Sequence, residues 1–292
     1  MSNKTISQET VIDAETFDPT TALLRLAQDG RNYAITPAAL VAAAVGEAAV
    51  PLGTVSVVSA TIGSDTTGER GSLLHPFATL EGAEAAALAG DCIVVLPGTY
   101  TSGSVIGAKS LNWYCVPGVS VVGLRIVAED AVTVTVHGNG MTATSTDTQV
   151  MVHVDHPDAN VTLNDMTMVA EAGCVLFEDG RLLARRCDFS VTASVATITQ
   201  QSEAVNAVYL DYCTVRCQHG TSNSHTCIRA IGGGNDITLR DCVLVTAVTY
   251  AMVCEDENEY QVRIYGVTMA NRAAGAGVSI VCGTLDVDTN VT

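Results

Sequence analysis

From residue 160 onward, apolar and polar residues alternate in short runs, and each run closes on a polar pair followed by Met, Cys or Val. The copies are Val161-Thr162-Leu163-Asn164-Asp165-Met166, Leu182-Leu183-Ala184-Arg185-Arg186-Cys187, Val208-Tyr209-Leu210-Asp211-Tyr212-Cys213, Ile237-Thr238-Leu239-Arg240-Asp241-Cys242 and Val262-Arg263-Ile264-Tyr265-Gly266-Val267. Their last positions are separated by 21, 26, 29 and 25 residues. A period of two reads as strand and the polar pair as a bend, so a recurrence of this length predicts one turn of a parallel β-solenoid. Strands of successive turns then lie ~4.8 Å apart with like residues stacked on like. Met166, Cys187, Cys213, Cys242 and Val267 are expected to form an inward column. Asn164, Arg185, Asp211, Arg240 and Tyr265 should form an outward one, its alternating charges a solvated ladder that helps set register. A further strand per turn is expected at 174–177, 227–231, 251–254 and 278–282, with less regular rungs around 111–115, 132–136 and 150–154.

The pattern upstream is different. Residues 1–17 are polar and without period, which predicts an extended or disordered segment until something binds it. Asp18-Pro19 is a helix-opening pair, and Leu23, Leu24, Leu26 and Ala27 supply an apolar stripe. After a short extended piece at 31–35, Thr36-Pro37 repeats the device and predicts a second, Ala-rich helix over 38–49. Residues 51–72, rich in Gly, Ser and Thr, are expected as a linker holding the strand-like Val55-Ser56-Val57-Val58. At 76–100 an Ala-rich amphipathic segment stops at Gly90, a β-branched run Cys92-Ile93-Val94-Val95 follows, and Pro97-Gly98 turns the chain. The expected organisation is therefore a small helical module at 1–50, a linker at 51–72 and a solenoid at 73–292.

The helix–strand–turn at 76–100, with the lead-in Gly63-Ser64-Asp65 and Gly68, resembles the start of right-handed parallel β-helix domains of the pectate-lyase-like kind. In that family a short helix plugs the open end of the coil. The resemblance implies a mainly β, single-stranded parallel β-helix. It is weak for activity, because the scaffold serves lyases, hydrolases and non-catalytic viral spikes alike. The order of elements around Leu23-Leu24-Arg25-Leu26-Ala27-Gln28-Asp29-Gly30-Arg31-Asn32-Tyr33-Ala34-Ile35-Thr36 resembles the N-terminal virion-attachment segments of phage tail fibres and tailspikes. That resemblance implies contact with other virion proteins through residues 1–50.

Composition sharpens the picture. Of the 292 residues 48% are hydrophobic but only 4% aromatic, so the core must be built from Val, Ala, Leu, Ile and Cys, which favours thin stacked layers. Fourteen Lys and Arg against 31 Asp and Glu give a net charge of −17, which argues against nucleic acid as a partner and against anionic membrane surfaces. The longest apolar run, 38–45, is too short to span a bilayer, so no membrane insertion is expected. No basic segment followed by an apolar one opens the chain, which points to assembly in the host cytoplasm. Ten cysteines, most of them single within strand-like runs, then read as reduced thiols packed as small hydrophobes.

Candidate chemistry is sparse, and the sequence leaves the catalytic and ligand-binding residues unknown. Cys217-Gln218-His219 and His225-Thr226-Cys227 flank a Gly-Thr-Ser-Asn-Ser loop, and two thiolates with two imidazoles suit tetrahedral zinc. The bland reading makes Cys217 and Cys227 core residues and leaves His219 and His225 edging a loop. The acidic run Glu255-Asp256-Glu257-Asn258-Glu259 offers oxygen ligands for calcium, or is simply a solvated turn. His153 and Asp155 share a strand face and form an acid–base candidate, although Pro157 and Asp158 after them resemble a turn. Carboxylate pairs a few ångströms apart arise automatically on adjacent rungs, so spacing does not identify a glycosidase here.

These observations and resemblances together predict a phage virion structural protein, a fibre, spike or decoration. It would be assembled as a homotrimer that covers the open solenoid end, and would touch polysaccharide of the host envelope. The competing class is a β-helix polysaccharide lyase or glycoside hydrolase. A secreted adhesin is disfavoured by the missing leader.

Overall fold

The computed structural model describes residues 24–28, 31–35, 54–101, 105–145, 149–192, 195–201, 206–217, 226–231, 235–246, 250–254, 261–271, 277–280 and 284–287. The chain divides into two compact units, Met1–Ala49 and Val50–Thr292.

In the larger unit the alternating segments lie side by side, parallel and in register, as three sheets. The first sheet starts at Val55–Val58, Cys92–Val95 and Leu111–Cys115, passes through 133–137, 160–164 and 181–185, and continues to Asn206–Asp211, Asn235–Arg240, Gln261–Tyr265 and Thr284–Val287. After the bend, the second sheet stacks Gly98–Tyr100, Val119–Val122, 141–145, 167–170, Asp188–Val191, Thr214–Cys217, Val243–Thr246 and Thr268–Asn271. The third stacks Val105–Ile106, Arg125–Ala128, 152–154, 175–177, Ile198–Gln201, Ile228–Ile231, Tyr250–Cys254 and Gly277–Ile280. This is a mainly β parallel solenoid with very little helix. Its third sheet includes the rung at Ile198–Gln201, which the repeat pattern does not reveal.

The inward column forms as expected: Met166, Cys187, Cys213, Cys242 and Val267 are each at most 2% exposed. It extends backward through Met141, which stands level with Met166, to Cys115, whose Sγ lies 3.4 Å from the Met141 Sδ. Narrow side chains suit this place, since the lumen of each turn is filled by one layer of residues and interiors tolerate little excess volume. The outward column also stacks in register, Asn164 on Arg185 on Asp211 on Arg240 on Tyr265. Asn164 is nonetheless buried, and the ladder closes as an ion pair between Arg185 and Asp211 at 3.8 Å. The residue after each of these turns the corner in the left-handed region: Asp165, Arg186, Tyr212, Asp241 and Gly266 have φ of 54°, 51°, 53°, 50° and 59°.

Two expectations are corrected. Leu24–Gln28 is a strand, not part of a helix, and pairs antiparallel with Arg31–Ile35 in a two-stranded sheet. The register pairs Gln28 with Arg31, so the intervening dipeptide is Asp29-Gly30, a strong hairpin signal that outweighs the apolar stripe. The helices expected at 18–23 and 38–49 lie outside the described residues. The second correction concerns the linker at 51–72. Val55–Val58 is the first strand of the solenoid, and Arg70 is bound to Asp91 through Nε at 2.5 Å and Nη2 at 2.8 Å. Gly63 is needed because a Cβ there would sit 2.1 Å from the Phe77 carbonyl oxygen. Gly and Ser are abundant here for tight turns held by backbone hydrogen bonds.

The helix expected before Gly90 is short, Leu80–Ala86. Thr79 caps it by accepting from the Gly82 N–H at 3.0 Å, and Asp65 in turn accepts from the N–H groups of Ala78 and Thr79. Its far end is capped by Lys109, whose Nζ donates to the carbonyls of Glu84, Ala85 and Ala87. Phe77, Leu80, Ala83 and Ala87 join the same buried cluster as Val58 and Ile93. The helix therefore packs against the N-terminal end of the solenoid core.

Candidate functional site

The solenoid's outer surface acquires its chemistry from position in the repeat. On the first sheet, residues pointing away from the lumen alternate with buried ones, which places Leu183, Tyr209, Thr238 and Arg263 in one outward column. Arg181, level with Ala207, Asp236 and Gln261, heads a neighbouring column. The Arg181 guanidinium carbon lies 5.2 Å over the Tyr209 ring, a cation–π contact. Arg181, Leu183, Tyr209 and Thr238 line, with Arg185, Asp211 and Arg240, a shallow groove of about 150 Å³. Around the corner a second groove, about 310 Å³, is lined by Asp165, Met166, Arg186, Asp188, Tyr212 and Thr214.

Arginines 181, 185, 186, 216, 240 and 263 all lie on or beside these grooves, six of the chain's 14 cationic side chains. Most of the aspartates among them are engaged. Asp165 takes both Arg186 nitrogens at 2.5 and 2.6 Å, Asp188 pairs with Arg216 at 3.1 Å, and Asp236 pairs with Arg263 at 2.6 Å. Each pair bridges successive turns. Arg181 and Arg240 make no ion pair among the described residues. An unpaired guanidinium is a planar fork of donors suited to carboxylate, sulfate or phosphate, and the Tyr209 ring adds a flat apolar face between them. This surface is not legible from the outward column beside the bend, because Tyr209 and Arg181 stand one and two alternations further from it.

The residues singled out from the sequence are placed as follows. Cys217 ends a second-sheet strand and Cys227 immediately precedes a third-sheet strand, both fully buried towards the lumen. The Cys217 Sγ donates to the Val195 carbonyl at 3.3 Å, and the Cys227 Sγ contacts the carbonyls of Val215 and Val245 at 3.2 Å each. Burial pushes the Cys227 thiol up to about 12, so it is a protonated donor in this state. His219, His225 and the whole acidic run 255–259 lie outside the described residues. The nine described cysteines are all free and buried, in line with reduced core thiols. His153 and Asp155 emerge on the outside of the third sheet, where the strand continues past them rather than turning. His153 Nε2 lies 2.7 Å from a Glu178 oxygen.

No protein-family model matches the chain, and no curated protein matches it. Among solved structures it is similar to a rhamnogalacturonan lyase, at 14% identity and a TM-score of 0.38 over 80% of this chain. The chain spans 61% of that protein's length.

Proposed function

We propose that this protein is a structural component of a bacteriophage particle, a fibre, spike or decoration, that offers the flank of its solenoid to an acidic polysaccharide of the host envelope. The observation that carries the binding part is the groove where Arg181 and Arg240, without carboxylate partners among the described residues, flank Tyr209 on a rigid parallel sheet. The net charge of −17 opposes an acidic ligand at long range. Screening limits that repulsion beyond about 8 Å at physiological salt, so the local guanidinium groups dominate at contact. The pairing of Asp165, Asp188 and Asp236 to arginines favours a holding surface over hydrolysis, since a general acid or base must be free to exchange its proton. The virion assignment rests on the sequence resemblance of residues 23–36 to phage attachment segments, in a compact unit that precedes the solenoid in the chain and whose described part is a hairpin rather than the expected helix and strand. In the assembled particle residues 1–50 would contact other virion proteins and the solenoids would associate as a trimer.

The test has two arms. Acidic polysaccharide from host capsule or lipopolysaccharide should bind the intact protein without new reducing ends or unsaturated sugars. Arg181→Ala combined with Arg240→Ala should weaken that binding by about tenfold or more, the loss expected for two charge-assisted contacts. Release of unsaturated sugar at catalytic rates would replace this reading with a polysaccharide lyase. Antibody label absent from whole phage particles would remove the virion assignment while leaving the glycan groove standing.

A further inference from the structure

The strand at 175–178 carries an irregularity. Val154 is level with Phe177, but the next residue, Asp155, is level with Asp179, so Glu178 is an extra residue with no opposite number. Such a bulge re-aims a side chain, and bulges of this kind cluster at functional positions. Here the Glu178 carboxylate lies 2.7 Å from His153 Nε2 on the neighbouring turn. On the other side Glu129, from the turn before, places an oxygen 3.7 Å from His153 Nδ1. Three successive turns therefore contribute Glu129, His153 with Asp155, and Glu178 to one spot on the outside of the third sheet. The His153 side chain is only 19% exposed, held between its two carboxylate neighbours.

We infer that His153, Asp155 and Glu178 bind a divalent first-row transition metal, with zinc as the reference ion, and that Glu129 orients the imidazole from the far side. One ligand atom from each of the three lies within 4.8 Å of the other two. Points so placed all fall within about 2.8 Å of a common centre, so shifts of under about 1 Å reach the ~2.0–2.2 Å bonds that zinc makes to imidazole and carboxylate. Mixed nitrogen and oxygen donors select zinc, manganese, iron or cobalt over calcium and magnesium, which take oxygen alone. A carboxylate on the second ring nitrogen is the usual partner of a metal-bound histidine, fixing its tautomer and raising its basicity. The metal would take the place of the direct His153–Glu178 contact and would tie two turns together across the bulge. It is distinct from the arginine groove, which lies on the first sheet.

The experiment titrates the full chain with Co²⁺ alone, followed by visible absorption, and with Zn²⁺ alone, followed by thermal unfolding. Expected are a d–d band without any sulfur-to-cobalt charge transfer, a rise in Tm with zinc, and proton release on binding. His153→Ala and, separately, Glu178→Gln should abolish the band, and Glu129→Gln should weaken binding by about tenfold. These side chains lie outside the lumen, so each variant should keep the metal-free Tm of the parent. Should one of them fail to fold, Asp155→Asn and the other variant carry the test. No cobalt binding, binding unchanged by both His153→Ala and Glu178→Gln, or a charge-transfer band that reports thiolate ligands would each overturn the assignment.

Discussion

The corner residues decide whether one turn can follow another. Asp165, Arg186, Tyr212, Asp241 and Gly266 occupy the left-handed region, where Asp, Asn and Gly are tolerated and a β-branched residue is not. Arg186 and Tyr212 are the costly members of this row; Arg186 is held by Asp165, whereas the 59% exposure of Tyr212 means that little packing offsets its strain. Tyr212→Asn should raise stability by about 0.5–1 kcal/mol, and Tyr212→Val should lower it by about 1–2 kcal/mol. Urea unfolding midpoints that fall for both substitutions would refute this account of the corner. One residue further on, Cys213 is a luminal spacer whose Sγ contacts the Ala184 and Asp211 carbonyls at 3.4 Å. Cys213→Val keeps volume and apolarity, as Val267 does in the same column, and should cost under about 1.5 kcal/mol. Cys213→Asp buries a charge and should cost more than about 4 kcal/mol or prevent folding, as read by circular dichroism.

The short helix at Leu80–Ala86 is held by charges whose pH dependences oppose one another. Glu84 is buried, accepts from the N–H groups of Gly107 and Ala108 at 2.9 Å each, and leaves its other oxygen without a partner. Burial raises its pKa above the ordinary value despite those hydrogen bonds. A raised folded-state pKa means that this contribution is full below the unfolded value and is lost as pH rises through the folded one. Asp91 is the reverse case. Its hydrogen bonds from Arg70 hold the carboxyl below its ordinary value, so its contribution is present above the unfolded pKa and is lost on acidification. Glu84→Gln should therefore flatten the loss of stability on going from mild acid to neutrality. Asp91→Asn should flatten the acid limb and lower stability at neutral pH, because the charge-assisted pair with Arg70 is lost. Denaturant midpoints measured against pH for the parent and both variants check the two signs. A Glu84→Gln profile parallel to that of the parent would contradict the first.

At the scale of the molecule, the solenoid's sheets are stacks of parallel strands, and ion pairs such as Asp165–Arg186 and Asp188–Arg216 run from turn to turn. Large apolar side chains nevertheless stand in solvent at Ile62, Leu74 and Leu88, in the segments leading into and out of the helix. Association of copies would cover surface of this kind. Light scattering on the purified full chain is expected to return three times the chain mass, with Leu88→Ser lowering the association constant by about tenfold if this end lies in the contact. A monomer at all concentrations would end the trimer proposal.

The sequence by itself determined the path of the coil, because alternation with period two and a polar pair before a small apolar residue are local signals that repeat with every turn. Leu163-Asn164-Asp165-Met166 and Leu210-Asp211-Tyr212-Cys213 announce strand, corner and lumen without reference to anything distant. The same locality misleads at Leu24–Gln28, whose apolar stripe suits a helix although the Asp29-Gly30 that follows it favours a hairpin. It misleads again at Val55–Val58, whose partner Cys92–Val95 comes only after the helix. Only the tertiary structure decided which outward residues meet. Arg181 reaches Tyr209 from the preceding turn, and Glu178 reaches His153 because one extra residue shifts the register. Surface chemistry on a solenoid depends on the length of chain between rungs, and that length varies from turn to turn in a way that no local pattern records.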